Sequence, residues 1–536
     1  MGTVIVDGRE IEIRDDERIN GIQAAARLGI DIPHYCWHPG LSVVASCRMC
    51  LVETGRRDPN TGAITMTGKL VPACQTPATD GTVILTNSDK VVQARAMVEE
   101  DLLLRHPVDC PICDKAGECR LQDYFYEHGH GERRADIKPF TSRRRPLGDT
   151  VTLFVDRCVM CSRCVRFCRE VTRTSELMVV NRGAHEEIDV FPGFPLDNPL
   201  SGNVVDLCPV GALGDKDFLY RQRVWFMRTH DHVCAGCATG CSIQVDENQE
   251  RIHRLRPREN EHVNRWWMCD EGRYGWKYVF DERRWVQPRV RREGSWQAVD
   301  WEQVIRDLDA LVRQASRLTV VLSPHATVEE AYLLTTYALQ VQPQATFVVG
   351  PSLQRGEDQQ FTGGFTISAE KSPNRRGVDE VVGALSERNV EWTAWLASQA
   401  TAERSDVVWI AGGYPSVWHD VDVAGQLQGT PHLIVQDLFD SPLAEQAEWQ
   451  LPATAFVERS GSFVNQRDRL QAFQWAIRPP RGVLSEAQLY WRLLGRRGLF
   501  NAEQVLREVA EACAFFSAAR DEIPAVGVEL KVRQLA

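Results

Sequence analysis

Sixteen of the seventeen cysteines lie before residue 270, and fifteen of these, with one histidine, fall into four sets of four. Cys36, Cys47, Cys50 and Cys74 form the first set; His106, Cys110, Cys113 and Cys119 the second; Cys158, Cys161, Cys164 and Cys208 the third; Cys234, Cys237, Cys241 and Cys269 the fourth. Four thiolate or imidazole ligands are what one [2Fe–2S] or [4Fe–4S] cluster requires. A single quartet also suits tetrahedral zinc. Four in series describe a conduit for electrons.

The first set reads C-x10-C-x2-C-x23-C. Its two-residue gap lets Cys47 and Cys50 reach one small cluster, with Cys36 and Cys74 arriving from flanking segments; the plant-type ferredoxin pattern has a shorter first loop. The second set, H-x3-C-x2-C-x5-C, puts a neutral imidazole in place of a thiolate, which removes a negative charge and sets that cluster's potential apart. Taken alone, it also reads as a zinc knuckle. The third set opens as a ferredoxin run of Cys158, Cys161, Cys164 and Cys168. In the bacterial pattern the fourth cysteine of such a run precedes proline and serves a second cluster. Here Arg169 follows Cys168, and the Cys-Pro pair is Cys208-Pro209. Cys208 is therefore assigned as the fourth ligand, and Cys168 as a spare, partly buried thiol. The fourth set reads C-x2-C-x3-C-x27-C, and Cys513, in an apolar stretch, reads as core packing.

The elements that must position these ligands are legible in outline. Residues 4–6 and 9–13 about Asp7-Gly8 predict a β-hairpin. Asn20 is placed to cap a short helix through residues 24–28 that stops at Gly29. The recurrence of Val91, Val92, Met97, Val98, Leu102 and Leu103 predicts a helix leading into His106. Past Cys269, apolar runs at 318–322, 347–349, 407–411 and 433–435 alternate with amphipathic stretches such as 301–312, which predicts βαβ units and a mostly parallel sheet. Gly412-Gly413 reads as a strand-exit turn or, less economically, as a phosphate cradle without its G-x-G-x-x-G fingerprint.

With 536 residues, 43% hydrophobic and 25% charged, the chain has the composition of a soluble protein of several domains. A net charge of −11 argues against nucleic-acid binding, and the run Arg143-Arg144-Arg145 reads as a solvated loop. No stretch approaches the ~18 apolar residues of a membrane span. The N-terminus is charged early, with no signal core, and Val6 argues against myristoylation of Gly2. Clustered cysteines of this kind belong to a reducing cytoplasm, where they bind metal rather than form disulfides.

The strings Ile32-Pro33-His34-Tyr35-Cys36, Ser46-Cys47-Arg48-Met49-Cys50-Leu51-Val52-Glu53 and His106-Pro107-Val108-Asp109-Cys110-Pro111-Ile112-Cys113-Asp114 with Gly117-Glu118-Cys119 resemble the large iron–sulfur subunit family of bacterial NADH:quinone oxidoreductase, respiratory complex I. Asp156-Arg157-Cys158 through Arg166-Phe167-Cys168 resembles it again. The resemblance implies one [2Fe–2S] cluster on the first set and three [4Fe–4S] clusters on the others. The fourth set resembles the entry cluster of molybdopterin oxidoreductases, present in only some complex I large subunits and off their main electron path. Arg283-Arg284 and the stretch from Phe456 to Asn465 follow the same molybdopterin-type order. Glu271 stands where active members place lysine, and no cysteine stands at their metal-ligand position. No molybdenum cofactor is expected, and the C-terminal half is expected to serve as scaffold and docking surface.

The expected fold is α/β overall: a β-grasp [2Fe–2S] ferredoxin-like domain (1–90), a [4Fe–4S] domain held by one histidine and three cysteines (91–140), a [4Fe–4S] ferredoxin-like domain (141–226), a molybdopterin-oxidoreductase-type [4Fe–4S] domain (227–284) and a truncated molybdopterin-oxidoreductase-like α/β domain (285–536). The resemblance implies an electron relay from an NADH/FMN-binding subunit toward a quinone site, among the other peripheral-arm subunits. The chain would be cytoplasmic and attached to the inner membrane only through partner subunits. With neither a dinucleotide fingerprint nor a candidate base or nucleophile, no catalytic residue of its own is expected. The rivals are the diaphorase relay subunit of a cytoplasmic NAD-linked hydrogenase, a molybdenum formate dehydrogenase subunit, and a zinc-bound scaffold.

Overall fold

The computed structural model describes residues 2–531 apart from 132, 133, 142, 184, 402, 403 and 420; Met1, and with it the reading of the Met-Gly start, lies outside them. The chain divides into two compact units, residues 1–227 with 361–363, and residues 228–360 with 364–536.

In the first unit, β1 (Gly2–Val6) pairs antiparallel with β2 (Arg9–Ile13). Asp7 and Gly8 between them both have positive φ, 47° and 79°, as a tight two-residue hairpin turn asks. Helix α1 (Gly21–Ala26) opens on Asn20, whose side chain accepts from the Gln23 N–H while the Gln23 side chain accepts from the Asn20 N–H. The helix ends two residues earlier than the sequence suggested, and Gly29 turns the chain at φ 73°. Strands β3 (Leu51–Arg57), β4 (Ile64–Pro72) and β5 (Thr82–Leu85) complete a sheet of order β2-β1-β5-β3-β4, with β1 and β5 parallel. The core that this sheet makes with α1 unites Val4, Val6, Ile11, Val52 and Ile84 with Ile22, Ala24 and Ala25, and it takes in Cys50 and Cys74. Two cysteines of the first set are thus anchored in a close-packed interior.

Helix α2 (Asp89–Arg105) is the helix that the apolar recurrence predicted, and its buried face is partly charged. Val91, Arg95, Ala96 and Glu99 point inward, while Val92 and Met97 are 48% and 59% exposed. Helix α3 (Arg120–His128) follows, with Cys119 at its N-cap. Beyond it come β6 (Arg144–Pro146), β7 (Val151–Phe154), α4 (Arg163–Glu170), β8 (Leu177–Val180), β9 (Glu187–Val190), α5 (Asn203–Leu207) and β10 (Leu213–Asp215), with sheet order β10-β7-β6 and a separate β8-β9 hairpin. The arginine run expected as a solvated loop is instead ion-paired and partly in strand. Arg143 holds Asp156 at 2.7 Å, and Arg145 holds Glu187 at 2.9 Å and Asp189 at 3.1 Å.

The second unit begins with a meander of β11 (Arg228–Val233), β12 (Ser242–Asn248) and β13 (Arg251–Pro257), followed by the short α6 (Asp270–Tyr274). Then come the hairpin β14 (Arg289–Arg292) and β15 (Ser295–Ala298), α7 (Trp301–Gln314), β16 (Leu318–Leu322), α8 (Val328–Val341), β17 (Thr346–Val349), a two-residue ladder of β18 (Gln359–Gln360) and β19 (Thr366–Ile367), β20 (Val407–Ala411), β21 (His432–Asp437) and β22 (Trp449–Pro452). The main sheet has the order β15-β14-β22-β21-β20-β16-β17 and is parallel from β22 to β17. Alternate residues of its strands feed two cores, Val320, Trp409 and Ile434 in one and Val321, Val408, Ile410 and Val435 in the other. Burial on both faces is why these strands read as unbroken apolar runs. Among the described residues, no helix is long and apolar enough to cross a membrane.

Candidate metal centres

The first set converges at one end of the five-stranded sheet. Cys50 leads into β3, Cys74 lies in the turn after β4, and the loop that delivers Cys47 is bent by positive φ at Ala45 and Arg48. The Cys36 thiol shares hydrogen bonds with Cys47 and Cys74 and accepts from the backbone N–H groups of Ser46 and Cys47. Those bonds hold its pKa well below the usual thiol range, and the same sharing pushes Cys47 and Cys74 well above it. Four free thiols linked in a chain of hydrogen bonds, Cys47 to Cys36 to Cys74 to Cys50, and mostly buried, are a donor set suited to a thiolate-bound cluster.

In the second set, Cys113 interacts electrostatically with both Cys110 and Cys119. Cys119 accepts from the N–H groups of Leu121 and Gln122 in the first turn of α3, where the helix dipole favours a thiolate, although burial still pushes its pKa up to about 11. His106 ends α2, and the charges that act on it are Arg157 and Asp109. Burial, aided by Arg157, pushes its imidazole down to about 4, so it is neutral near pH 7, the form that binds metal.

The third set meets at the start of α4 and the end of α5. Positive φ at Met160 and Ser162 winds the run of three cysteines around a small cavity, and the Met160 N–H lies 3.4 Å from Cys158 Sγ. Cys158, Cys161, Cys164 and Cys208 all line that cavity, with Leu153, Ile188 and Val210 closing it. Cys168 does not line it. That thiol is 0% exposed, one turn beyond Cys164, and is pushed up by burial and by the Glu176 carboxylate. The fourth set repeats the arrangement. Three cysteines of the β11–β12 connection and Cys269, the N-cap of α6, surround a second small cavity with Gly236, Met268 and Gly272. Burial pushes Cys234 up to about 12, and the Gly272 N–H donates to Cys269 Sγ at 3.3 Å.

Among the described residues, no three Cys, His, Asp or Glu side chains make a single-ion site. The third and fourth sets are distributed around cavities instead.

Buried arginines that no spacing rule pointed to tie the first-unit sets together. Arg166, 2% exposed, donates to the Cys36 carbonyl and, at 3.3 Å, to the Cys161 carbonyl, so it bridges the first and third sets. Arg163 makes a parallel tie between the Trp37 and Leu207 carbonyls. Arg157 donates to Asp109 at 2.9 Å, and a Cβ on Gly211 would lie 2.2 Å from Cys113 Sγ, so the second set is interlocked with the third. The only sequence signal for these residues was arginine next to cysteine in Arg157-Cys158 and Arg163-Cys164.

In the second unit, Glu271 is paired with Arg355 at 3.0 Å and Lys371 at 2.7 Å. Beside it lies a cavity of about 670 Å³ whose lining includes Cys234, Trp276, His325, Tyr414 and Trp418. The Gly412-Gly413 turn is no phosphate cradle. The Gly412 N–H donates to the Gln436 carbonyl, and the Gly413 and Tyr414 N–H groups donate to Asp437 Oδ1.

Comparison with known families matches residues 2–89 to a 2Fe-2S iron-sulfur cluster binding domain, 95–134 to the NADH-ubiquinone oxidoreductase-G iron-sulfur binding region and 148–214 to the NADH-quinone oxidoreductase subunit 3 ferredoxin-like domain. Residues 227–281 match the molybdopterin oxidoreductase Fe4S4 domain and 376–486 molybdopterin oxidoreductase. The chain thus carries 2Fe–2S and 4Fe–4S binding domains followed by a molybdopterin-oxidoreductase-type domain. It is 36% identical to the G subunit of NADH-quinone oxidoreductase from Salmonella typhimurium over 339 residues, 62% of this chain and 36% of that one. The Escherichia coli K12 protein of the same name gives the same identity and coverage, and that of Rickettsia bellii is 32% identical over 64% of this chain and 48% of its own. The aligned region therefore spans between a third and a half of these relatives. A solved chain of NAD+-reducing [NiFe]-hydrogenase in the H2-reduced state aligns at 25% identity over 42% of this chain and 91% of that one, with a TM-score of 0.35, too low to bear on the reading.

Proposed function

From its resemblance to the G subunits of NADH-quinone oxidoreductases, we propose that the chain is an iron–sulfur electron-relay subunit of such an enzyme, carrying electrons from an NADH/FMN-binding subunit toward the quinone site. In this reading Cys36, Cys47, Cys50 and Cys74 hold one [2Fe–2S] cluster. His106 with Cys110, Cys113 and Cys119, Cys158 with Cys161, Cys164 and Cys208, and Cys234 with Cys237, Cys241 and Cys269 hold one [4Fe–4S] cluster each. Bound clusters supply one-electron donation and acceptance. The polypeptide supplies ligands, burial and spacing: Arg163 and Arg166 fix the first set against the third, and Arg157 with Gly211 fixes the second against the third. The units divide further into five domains, 1–90, 91–140, 141–226, 227–284 and 285–536. Partners are the NADH/FMN-binding and other peripheral-arm subunits, and the cytoplasmic chain reaches the membrane only through them.

The observation that carries this reading is the pair of small, partly enclosed cavities, each lined by all four cysteines of one set and neither by Cys168. The test is anaerobic reduction followed by EPR. NADH should reduce the iron–sulfur signals when the flavin-bearing partner is present and leave them oxidised when the chain is alone. Reduction by NADH alone, or by formate, contradicts the proposal.

A further inference from the structure

Helix α2 carries two charged side chains four residues apart on its buried face, Arg95 at 5% exposure and Glu99 at 0%. Residues so spaced are neighbours that ordinarily pair. Here the Glu99 carboxylate accepts from the Tyr35 hydroxyl instead, one residue before Cys36. Arg95 Nε and Nη2, and the second oxygen of the Glu99 carboxylate, Oε2, are buried with no hydrogen-bond partner among the described residues, so the two side chains do not pair with each other. Of the charges acting on this guanidinium, the largest is that of Cys50, a residue of the first set. Burying a cation with idle donors is strongly unfavourable, and arginine does not escape the penalty by losing its proton. With Glu99 turned to Tyr35, these donors are left open to an acceptor that is not polypeptide, on the side of Cys50. The sulfur atoms of a bound iron–sulfur group are anionic acceptors of the right kind.

We propose that Arg95 sets the reduction potential of the first metal centre by donating hydrogen bonds and a fixed positive charge to the sulfurs of the [2Fe–2S] group. This rests on the reading that the first set holds such a group. A positive charge and hydrogen bonds to sulfur favour whichever state carries the additional electron, so they raise the potential. Arg95 contributes no ligand and no proton to the transfer. It lies on the helix that ends in His106, so one element serves two metal centres.

The test is an EPR-monitored redox titration of the anaerobically purified full chain, comparing the unaltered protein with Arg95→Gln and Arg95→Lys. Arg95→Gln should keep the [2Fe–2S] signal and lower its midpoint by the equivalent of tenfold or more in electron affinity, about 59 mV per tenfold for one electron. Arg95→Lys should recover most of that shift, and the [4Fe–4S] midpoints should not move. A retained signal with an unmoved midpoint in Arg95→Gln overturns the proposal. If Arg95→Gln holds no cluster, the lysine variant decides: a retained signal within threefold of the unaltered affinity supports the proposal, and a lost signal or a tenfold shift overturns it. Absence of any [2Fe–2S] signal from the unaltered chain would instead sink the underlying assignment.

Discussion

Position around a cavity, and not depth, separates the candidate ligands from their neighbours, since Cys168 is as buried as Cys164, and two substitutions test that placement. Cys164 lines the third cavity and Cys168 does not, although both stand in the same run. Cys164→Ser should cost about four iron atoms per chain, the content of one [4Fe–4S] cluster. Cys168→Ala should cost none; iron analysis of the two variants separates ligand from bystander. Gly211 gives a second test, because a methyl group there would collide with Cys113 Sγ. Gly211→Ala should abolish or broaden the EPR signal of the second centre and spare the fourth, while equal loss at both would mean that the contact is not specific. Two quartets read from the sequence are the cysteines that line the two small cavities, and the two- and three-residue gaps within them are what made them stand out. Arg95, Arg157, Arg163 and Arg166 did not stand out, since arginine is ordinarily a surface residue and the carbonyls and sulfurs it serves leave no pattern in sequence.

Elements position those side chains, and here the sequence misled where burial and polarity part company. The β1–β2 hairpin and the parallel strands β16, β20 and β21 stand where apolar patterning placed them. Helix α2 stands where the apolar recurrence predicted a helix, but its buried face carries Arg95 and Glu99 beside Val91 and Ala96 and leaves Val92 and Met97 outside. Periodicity assumes that polar residues face water, and a helix serving a charged site breaks that assumption. Helix α8 buries a carboxylate too. Glu329 accepts from the Ser462 N–H and hydroxyl, and desolvation raises its pKa from 4.5 to about 7. The native state therefore binds more protons than the unfolded one between those values, so this group's contribution is complete below about pH 4.5 and is lost as pH rises through 7. Its size is about 3 kcal/mol, at 1.36 kcal/mol per pKa unit. Thermal unfolding of the unaltered chain and Glu329→Gln at pH 5 and pH 7.5 should show the unaltered midpoint falling relative to the variant as pH rises. Parallel midpoints would contradict it.

At the scale of the whole molecule, the polypeptide is a frame in which the third set is tied to both the first and the second within one unit, while the fourth belongs to another. No sequence rule said which of the small domains would pack into one unit. How the sets are tied together also lay beyond the sequence, since it depends on buried arginines that spacing does not encode. Because metal ligation contributes to the folding free energy of small metal-binding domains, a chelator that strips iron should unfold the first unit, with circular dichroism showing lost secondary structure; an unchanged spectrum in the iron-free chain would refute this. The most direct measurement of the central claim is iron, zinc and molybdenum per chain, by elemental mass spectrometry on anaerobically purified protein. One [2Fe–2S] and three [4Fe–4S] clusters require about 14 iron atoms, with neither zinc nor molybdenum at stoichiometric level. Stoichiometric zinc in place of iron would make the chain a scaffold, and one molybdenum per chain would make its C-terminal half an active site; either contradicts the relay.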